Sequence, residues 1–309
     1  MPYHVAGSNV YVFSTVHDVA SGNLVNENLM QLYQMIRALK VNGAKNVTAV
    51  VPYLPYSRQD KPTTFKREAT IAKLAADFFV EAGANGILTY HPHSESIRGF
   101  YEPRMRYTAL NGLDLFLDIA GRIKGNNRMD DVCVVSTDAG GAKLTIHLAQ
   151  GLNVDYAIAN KFRQKAEQAE MLGIIGKVEG KRVAILADDE TVTMTSLNNA
   201  AREIHTRYEV AEIHMLISHA KLRPQHVPRL IKAHNEYGLE MIHFTDTVPQ
   251  TPALTSLPFV TIHRLDGRLA RTINRLHYNQ SVSELSYNPN GRRVSPKSET
   301  FFVGSPASS

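Results

Sequence analysis

The chain has a single cysteine, Cys133, in 309 residues, which excludes an internal disulfide framework and any cysteine-rich zinc site. No apolar run approaches the ~18 residues that a membrane-spanning helix needs. The first residues, MPYHVAGSNV, lack the basic n-region and apolar h-region of a secretory signal. These absences lead us to expect a cytoplasmic protein with no membrane partner. Charge of one sign is also scarce. With 34 basic and 29 acidic side chains the net charge is +5, and the pI is near 9.2. The basic residues are scattered, so we expect no nucleic-acid partner; a polyanionic small ligand such as a nucleotide accounts for the excess equally well.

What is present is an ordinary globular composition, 43% apolar and 20% charged, which rules out a mainly disordered chain. The length suggests two domains of roughly 150 residues. Short apolar runs bounded by Gly, Pro, Asn or Asp recur at Asn9–Phe13, Val47–Tyr53, Gly86–Tyr90, Asp131–Ser136, Val154–Ala159, Arg182–Ala187, Ala211–Ile217, Glu240–Thr245 and Phe259–His263. Most lack strict alternation, as strands buried on both faces do. Helical stripes lie between them: Leu29, Leu32, Ile36 and Leu39; Ile71, Leu74, Ala75 and Phe78; Leu113, Phe116, Leu117 and Ala120. Strand alternating with helix predicts an α/β protein of βαβ units with a mainly parallel sheet in each domain. The polar segment Gly121–Asp130 reads as the junction, which gives an N-terminal domain over 1–121 and a C-terminal domain over 122–277. The Ser-, Asn- and Pro-rich stretch 278–309 reads as an irregular tail.

Ligands of open α/β sheets bind beyond the carboxyl ends of strands. Three such ends carry unusual chemistry: Ser136-Thr137-Asp138-Ala139-Gly140-Gly141, Asn160-Lys161-Phe162-Arg163 and Asp188-Asp189. Polar side chains beside a Gly-Gly turn suit a phosphate and metal site.

At these residues the sequence resembles the ribose-phosphate diphosphokinases, the PRPP synthetases. The resemblance runs in order through VPYLPYSRQDK (Val51–Lys61), KREATIAKLAADF (Lys66–Phe78), LTYHPHSESIRGFY (Leu88–Tyr101), VVSTDAGG (Val134–Gly141), AIANKFR (Ala157–Arg163), ILADDETVTMTSL (Ile185–Leu197) and FTDTVPQT (Phe244–Thr251). It implies two phosphoribosyltransferase-like α/β domains in a homo-oligomer. It also implies a Mg²⁺-dependent reaction that moves the β,γ-diphosphate of ATP to the C1 hydroxyl of a ribose 5-phosphate-type acceptor. Such an in-line displacement is catalysed mostly by positioning and cations.

The resemblance assigns roles residue by residue. Arg58, Gln59 and Asp60, with His93, match the ATP-binding positions; a guanidinium forks two phosphate oxygens. His93 and Asp138 match the metal positions. Lys161 and Arg163 match the cationic pair that steadies the transferring diphosphate, and Arg67 lies on the loop that closes over the phosphates. Asp188 and Asp189, followed by Thr193, Thr195 and Ser196, match the acceptor site. Read without the resemblance, Arg58, Lys161, Arg163 and Arg67 are also compatible with exposed surface charges, and Asp188 and Asp189 with helix N-caps.

The sequence departs from the family pattern in four ways. Met194 and Thr195 occupy glycine positions of the acceptor loop, and Val192 replaces a polar residue, so side chains are expected to crowd the backbone nest that wraps a phosphate dianion. The family's first βα segment, which contacts adenine from a neighbouring subunit, has no counterpart here. His91 and Asn160 each replace an aspartate, removing negative charge beside the metal and lysine positions. The tail has no counterpart either. A crowded nest favours an acceptor whose 5-phosphate is esterified, such as ADP-ribose. A loop that still binds ribose 5-phosphate through its three hydroxyls, a catalytically silent regulatory subunit and a phosphoribosyltransferase are the other readings.

Overall fold

The computed structural model describes residues 4–22, 24–63, 65–125, 127–162 and 171–282, with backbone only at 160–162 and 171–172. Arg163 therefore lies outside the described residues, as does the expected tail beyond 282. The first half alternates β1 (Asn9–Phe13), α1 (Val25–Val41), β2 (Asn46–Val50), α2 (Ile71–Ala82), β3 (Gly86–Tyr90), α3 (Arg98–Tyr101), β4 (Arg106–Leu110) and α4 (Leu113–Gly125). The second half runs β5 (Val132–Ser136), α5 (Ala142–Leu152), β6 (Asp155–Phe162), β7 (Met171–Gly176), β8 (Val183–Thr191), α6 (Thr195–Tyr208), β9 (Glu212–Ala220), α7 (Val227–Glu236), β10 (Leu239–Thr245), α8 (Pro252–Thr255), β11 (Val260–His263) and α9 (Asp266–His277). Among the described residues no helix is long and apolar enough to cross a membrane.

Two sheets result. The first has the order β1-β2-β3-β4 and is parallel throughout. The second has the order β11-β10-β9-β8-β5-β6-β7 and is parallel except for β7, which runs antiparallel to β6. The expected α/β architecture of mainly parallel sheets flanked by helices is what forms. Neither β4 nor β7 is expected from the sequence: RYTAL is short with polar residues inside it, and MLGIIG is interrupted by glycine.

Helix packing crosses the middle of the chain. Leu29, Leu32, Ile36 and Leu39 of α1 and Ala76, Phe79 and Ala82 of α2 fill one face of the first sheet. Its other face is covered by Leu269 and Leu276 from α9 and Leu265 just before it, packed on Val50, Leu88, Tyr90 and Leu110. In return Leu113, Phe116, Ile119 and Ala120 of α4 lie on Val132, Val134, Val183 and Ile185 of the second sheet. Arg268 of α9 reaches Asp114 and Asp118 of α4 at 3.6 and 3.7 Å. The second sheet's remaining face carries α6 and α7.

The stripe expected for α2 is displaced by one residue. Ala72, Ala75, Ala76, Phe79 and Ala82 are buried, whereas Leu74 and Phe78 are each 47% exposed. Two apolar stripes overlap in IAKLAADFFVEA. The alanine-rich one allows the closer approach, and Tyr33 of α1 meets the Phe79 ring edge-on at 4.9 Å.

Candidate active site

Strand register builds the site. Ile158, Ser136, Ala187 and Leu216 form one row across β6, β5, β8 and β9. The residues just past that row make the carboxyl rim: Thr137 and Asp138 after β5, and Asp188 and Asp189 on β8. Lys161 lies three residues beyond Ile158, about 10 Å further along β6 at the usual rise per residue. Its backbone stays ordered there because β7 pairs with it, Lys161 opposite Leu172. Asp188 and Asp189 do not terminate a strand or cap a helix. β8 continues through them to Thr191, held by β9 at Glu190↔His219 and Thr191↔Ala220, while α6 starts after Met194 with no side-chain cap.

The acidic pair is split by its surroundings. Thr137 Oγ1 donates to Asp188 Oδ2 at 2.9 Å, but burial and the adjacent Asp189 charge push the Asp188 carboxyl well up. Burial also pushes Asp189 up, yet hydrogen bonds from His93 and Asp188 outweigh it and hold Asp189 below the carboxylate range. His93 Nδ1 lies 2.6 Å from Asp189 Oδ2, a bond that raises the His93 pKa. Arg58 contacts the same strand: its Nε pairs with Glu190 Oε1, and its Nη2 is 3.9 Å from Asp189 Oδ1. Arg58 and His93 come from the first sheet's loops and the carboxylates from the second, so the site lies where the two sheets meet.

Asp138 Oδ1 accepts from Gly141 N–H at 3.1 Å, which closes the Gly-Gly turn before α5. A Cβ at Gly141 would sit 2.8 Å from Ser136 Oγ. Asp60 accepts from Ser96 Oγ at 3.4 Å, and Gln59 holds the start of α2 through Ala72 N–H to its carbonyl, 3.2 Å. Arg67 is not brought to the carboxylates; it sits on an exposed loop beside the fully exposed Phe65.

Two expectations about departures change. Met194 does not crowd the acceptor loop. Its φ is +62°, the conformation glycine would supply, and its side chain is 1% exposed within the second sheet's core. Thr193 and Thr195 hydroxyls lie 3.0 Å apart. Arg229 on α7, which the sequence does not single out, donates to Thr193 O and Thr195 Oγ1, both at 3.1 Å. His91, in place of an aspartate, reaches β9 beside the rim: its Nδ1 is 2.5 Å from Ser218 Oγ. Its ring fills the space over Gly112, where a Cβ would come within 2.2 Å. His219 then binds the His91 carbonyl at 3.0 Å and Thr247 Oγ1 at 2.8 Å.

This buried histidine makes the junction acid-sensitive. Burial, then the neighbouring His219, lowers the His91 pKa to about 4. The unfolded chain takes up this proton near 6.5, so the stability linked to His91 is intact above pH 6.5 and disappears between 6.5 and 4. At about 1.4 kcal/mol per pKa unit this is on the order of 3 kcal/mol. The His93–Asp189 bond runs the other way, full below the ordinary histidine pKa and fading as pH rises through the raised one. We expect melting temperature to fall steadily from pH 7 to pH 4.5, and His91→Asn to flatten that acid limb; equal slopes in melts of both proteins would remove His91 from the account.

A model of the N-terminal domain of ribose phosphate pyrophosphokinase matches residues 1–83. A ribose-phosphate pyrophosphokinase of Chromobacterium violaceum is 34% identical over 84% of this chain and 76% of its own length. The chain belongs to the ribose-phosphate pyrophosphokinase family. A Fusobacterium nucleatum ribose-phosphate pyrophosphokinase is also 34% identical, over 91% of this chain and 84% of its own. The crystal structure of phosphoribosylpyrophosphate synthetase from Mycobacterium smegmatis superposes with a TM-score of 0.78 at 28% identity, covering 90% of this chain and 86% of that one. The chain is thus an enzyme of the pyrophosphokinase type.

Among the described residues, no group of three or more His, Cys, Asp or Glu side chains is arranged to hold a metal ion. Single carboxylates at a rim suit Mg²⁺ differently. That ion keeps several waters and is held by one or two carboxylates together with substrate phosphates. The donors here fit an ion that arrives on a nucleotide.

Proposed function

We propose that this enzyme transfers the β,γ-diphosphate of ATP to the C1 hydroxyl of ribose 5-phosphate and releases AMP. The observation that carries the reading is the trio of contacts joining the two halves, Arg58 to Glu190, Arg58 to Asp189 and His93 to Asp189. They set the loop carrying Arg58 directly against the acidic stretch of β8.

In this reading the first half carries ATP through Arg58, Gln59, Asp60 and His93. The second carries the sugar, with Asp189 accepting from its hydroxyls. Asp189, whose carboxyl is held below the usual carboxylate range, is the better acceptor of the two. Thr193, Thr195 and Ser196, with the first-turn N–H groups of α6, receive the 5-phosphate; helix starts favour such anions. Arg229 braces that loop from outside. Mg²⁺, held with ATP near Asp138 and His93, supplies charge neutralisation at the phosphates, and Lys161, Arg163 and Arg67 supply the cationic side chains.

Support for an extended acceptor such as ADP-ribose rests on Val192, Met194 and Thr195 crowding the phosphate nest. Met194, turned inward, removes one of the three, and the two relatives above, both ribose-phosphate pyrophosphokinases, favour the ribose 5-phosphate reading. The test offers Mg-ATP with ribose 5-phosphate or ADP-ribose and follows AMP and the C1-diphosphorylated sugar. We expect ribose 5-phosphate to be used with the higher kcat/KM. A higher kcat/KM for ADP-ribose would reverse the acceptor assignment, and no AMP with either would point to a silent subunit.

A further inference from the structure

Glu190 is unexpected: a carboxylate on a strand, 2% exposed at its side chain, immediately after the acidic pair. Both of its oxygens face cations. Lys221, itself 10% exposed, approaches Oε2 at 2.8 Å and also donates to Tyr53 Oη at 2.8 Å, its ammonium 4.8 Å from the Tyr53 ring centroid. Arg58 Nε meets Oε1, and Arg58 Nη2 donates to the Glu190 carbonyl at 3.4 Å. The Arg58 side chain remains 49% exposed.

We propose that Glu190 is a positioning residue that orients the Arg58 guanidinium toward a nucleotide polyphosphate, with Lys221 as the second cation on the same carboxylate. Burying one carboxylate requires one cation, and Lys221 with Tyr53 already provides that partnership. The second, half-exposed cation is superfluous for burial. What it gains is a fixed orientation: one edge is tied to β8 and the rest is left open. Paired with Glu190 alone, Arg58 would be neutralised and would attract phosphate weakly. With Lys221 present, Glu190 is divided between two cations, and the other carboxylate near Arg58, Asp189, stands further off at 3.9 Å. The carboxylate thus couples the nucleotide loop of the first sheet to the strand that bears Asp188 and Asp189.

This inference rests on Arg58 serving the nucleotide, so its test separates the two ideas. Full-length wild type, Glu190→Gln and Glu190→Gln/Lys221→Met are compared by steady-state kinetics with saturating ribose 5-phosphate, by direct ATP titration and by thermal melting. Loss of the ion pair that orients the phosphate-binding guanidinium should raise the KM and Kd for ATP about tenfold or more in Glu190→Gln. kcat should stay within about threefold and the ribose 5-phosphate KM should not move. The double variant, which removes both buried charges, should regain melting temperature yet keep the ATP defect. An ATP KM and Kd within about twofold of wild type in Glu190→Gln would overturn the proposal. So would an ATP defect that disappears in the double variant, because folding alone then explains it. If Glu190→Gln does not fold, the double variant decides by the same criterion. A wild type that binds ATP but yields no C1-diphosphorylated sugar instead defeats the functional reading, while the ATP titration still judges Glu190.

Discussion

Lys161→Ala should lower kcat by about a hundred- to a thousandfold, the usual loss when one electrostatic donor is removed from a developing anion. Register supports the size of the effect. Ser136 pairs with Ile158 at the end of β5, yet β6 continues to Phe162 because β7 pairs alongside it. The strand's backbone thus runs three residues past the Ser136–Ile158 row before it reaches Lys161. A diphosphate in flight has charge on its equatorial oxygens, which an ammonium close by would stabilise. Saturating initial rates of AMP release, with a melt to show that folding is intact, measure this directly. A kcat within a few-fold of wild type would take Lys161 out of the chemistry.

Met194→Gly should destabilise the enzyme without improving its use of ribose 5-phosphate. Glycine relieves a positive φ that costs a non-glycine residue on the order of 1 kcal/mol. Against that stands the loss of a side chain buried among Leu197, Ala200 and Met215 in one core, and truncating a buried methionine costs about 2–5 kcal/mol. The net loss of about 1–4 kcal/mol corresponds to a fall in melting temperature of roughly 2–4 °C per kcal/mol for a protein of this size class. Scanning calorimetry and the ribose 5-phosphate KM test both halves of the statement. A large drop in KM at unchanged stability would show that methionine does obstruct the phosphate after all.

These outcomes trace how far the residues could be read in advance. Runs such as GILTY and VCVVS are buried at every position, so continuous apolar character marked them as interior strands. RYTAL escaped because only packing against β3 makes a strand of it. On α2 two stripes one residue apart competed, and the sheet rather than the periodicity chose between them. The acidic pair, Arg58 and His93 were legible through the family resemblance. Glu190 and Lys221 were not, since each looks like an ordinary surface charge until strands β8 and β9 bring them together, and Tyr53 joins them from 168 residues away. Met194 was misjudged for a different reason. A residue type at a glycine position says nothing about the direction its side chain takes, and here the same backbone twist sends it inward.

The reciprocal placement of α4 and α9 has a practical corollary. Among the described residues each half of the chain lends its last helix to the other's sheet, so neither sheet is covered by its own half alone. Splitting the protein near residue 126 should yield two fragments that each bare an oily trough and aggregate when produced alone. Produced together, they should find one another, and the nucleotide and sugar sites would be restored only in the reassembled pair.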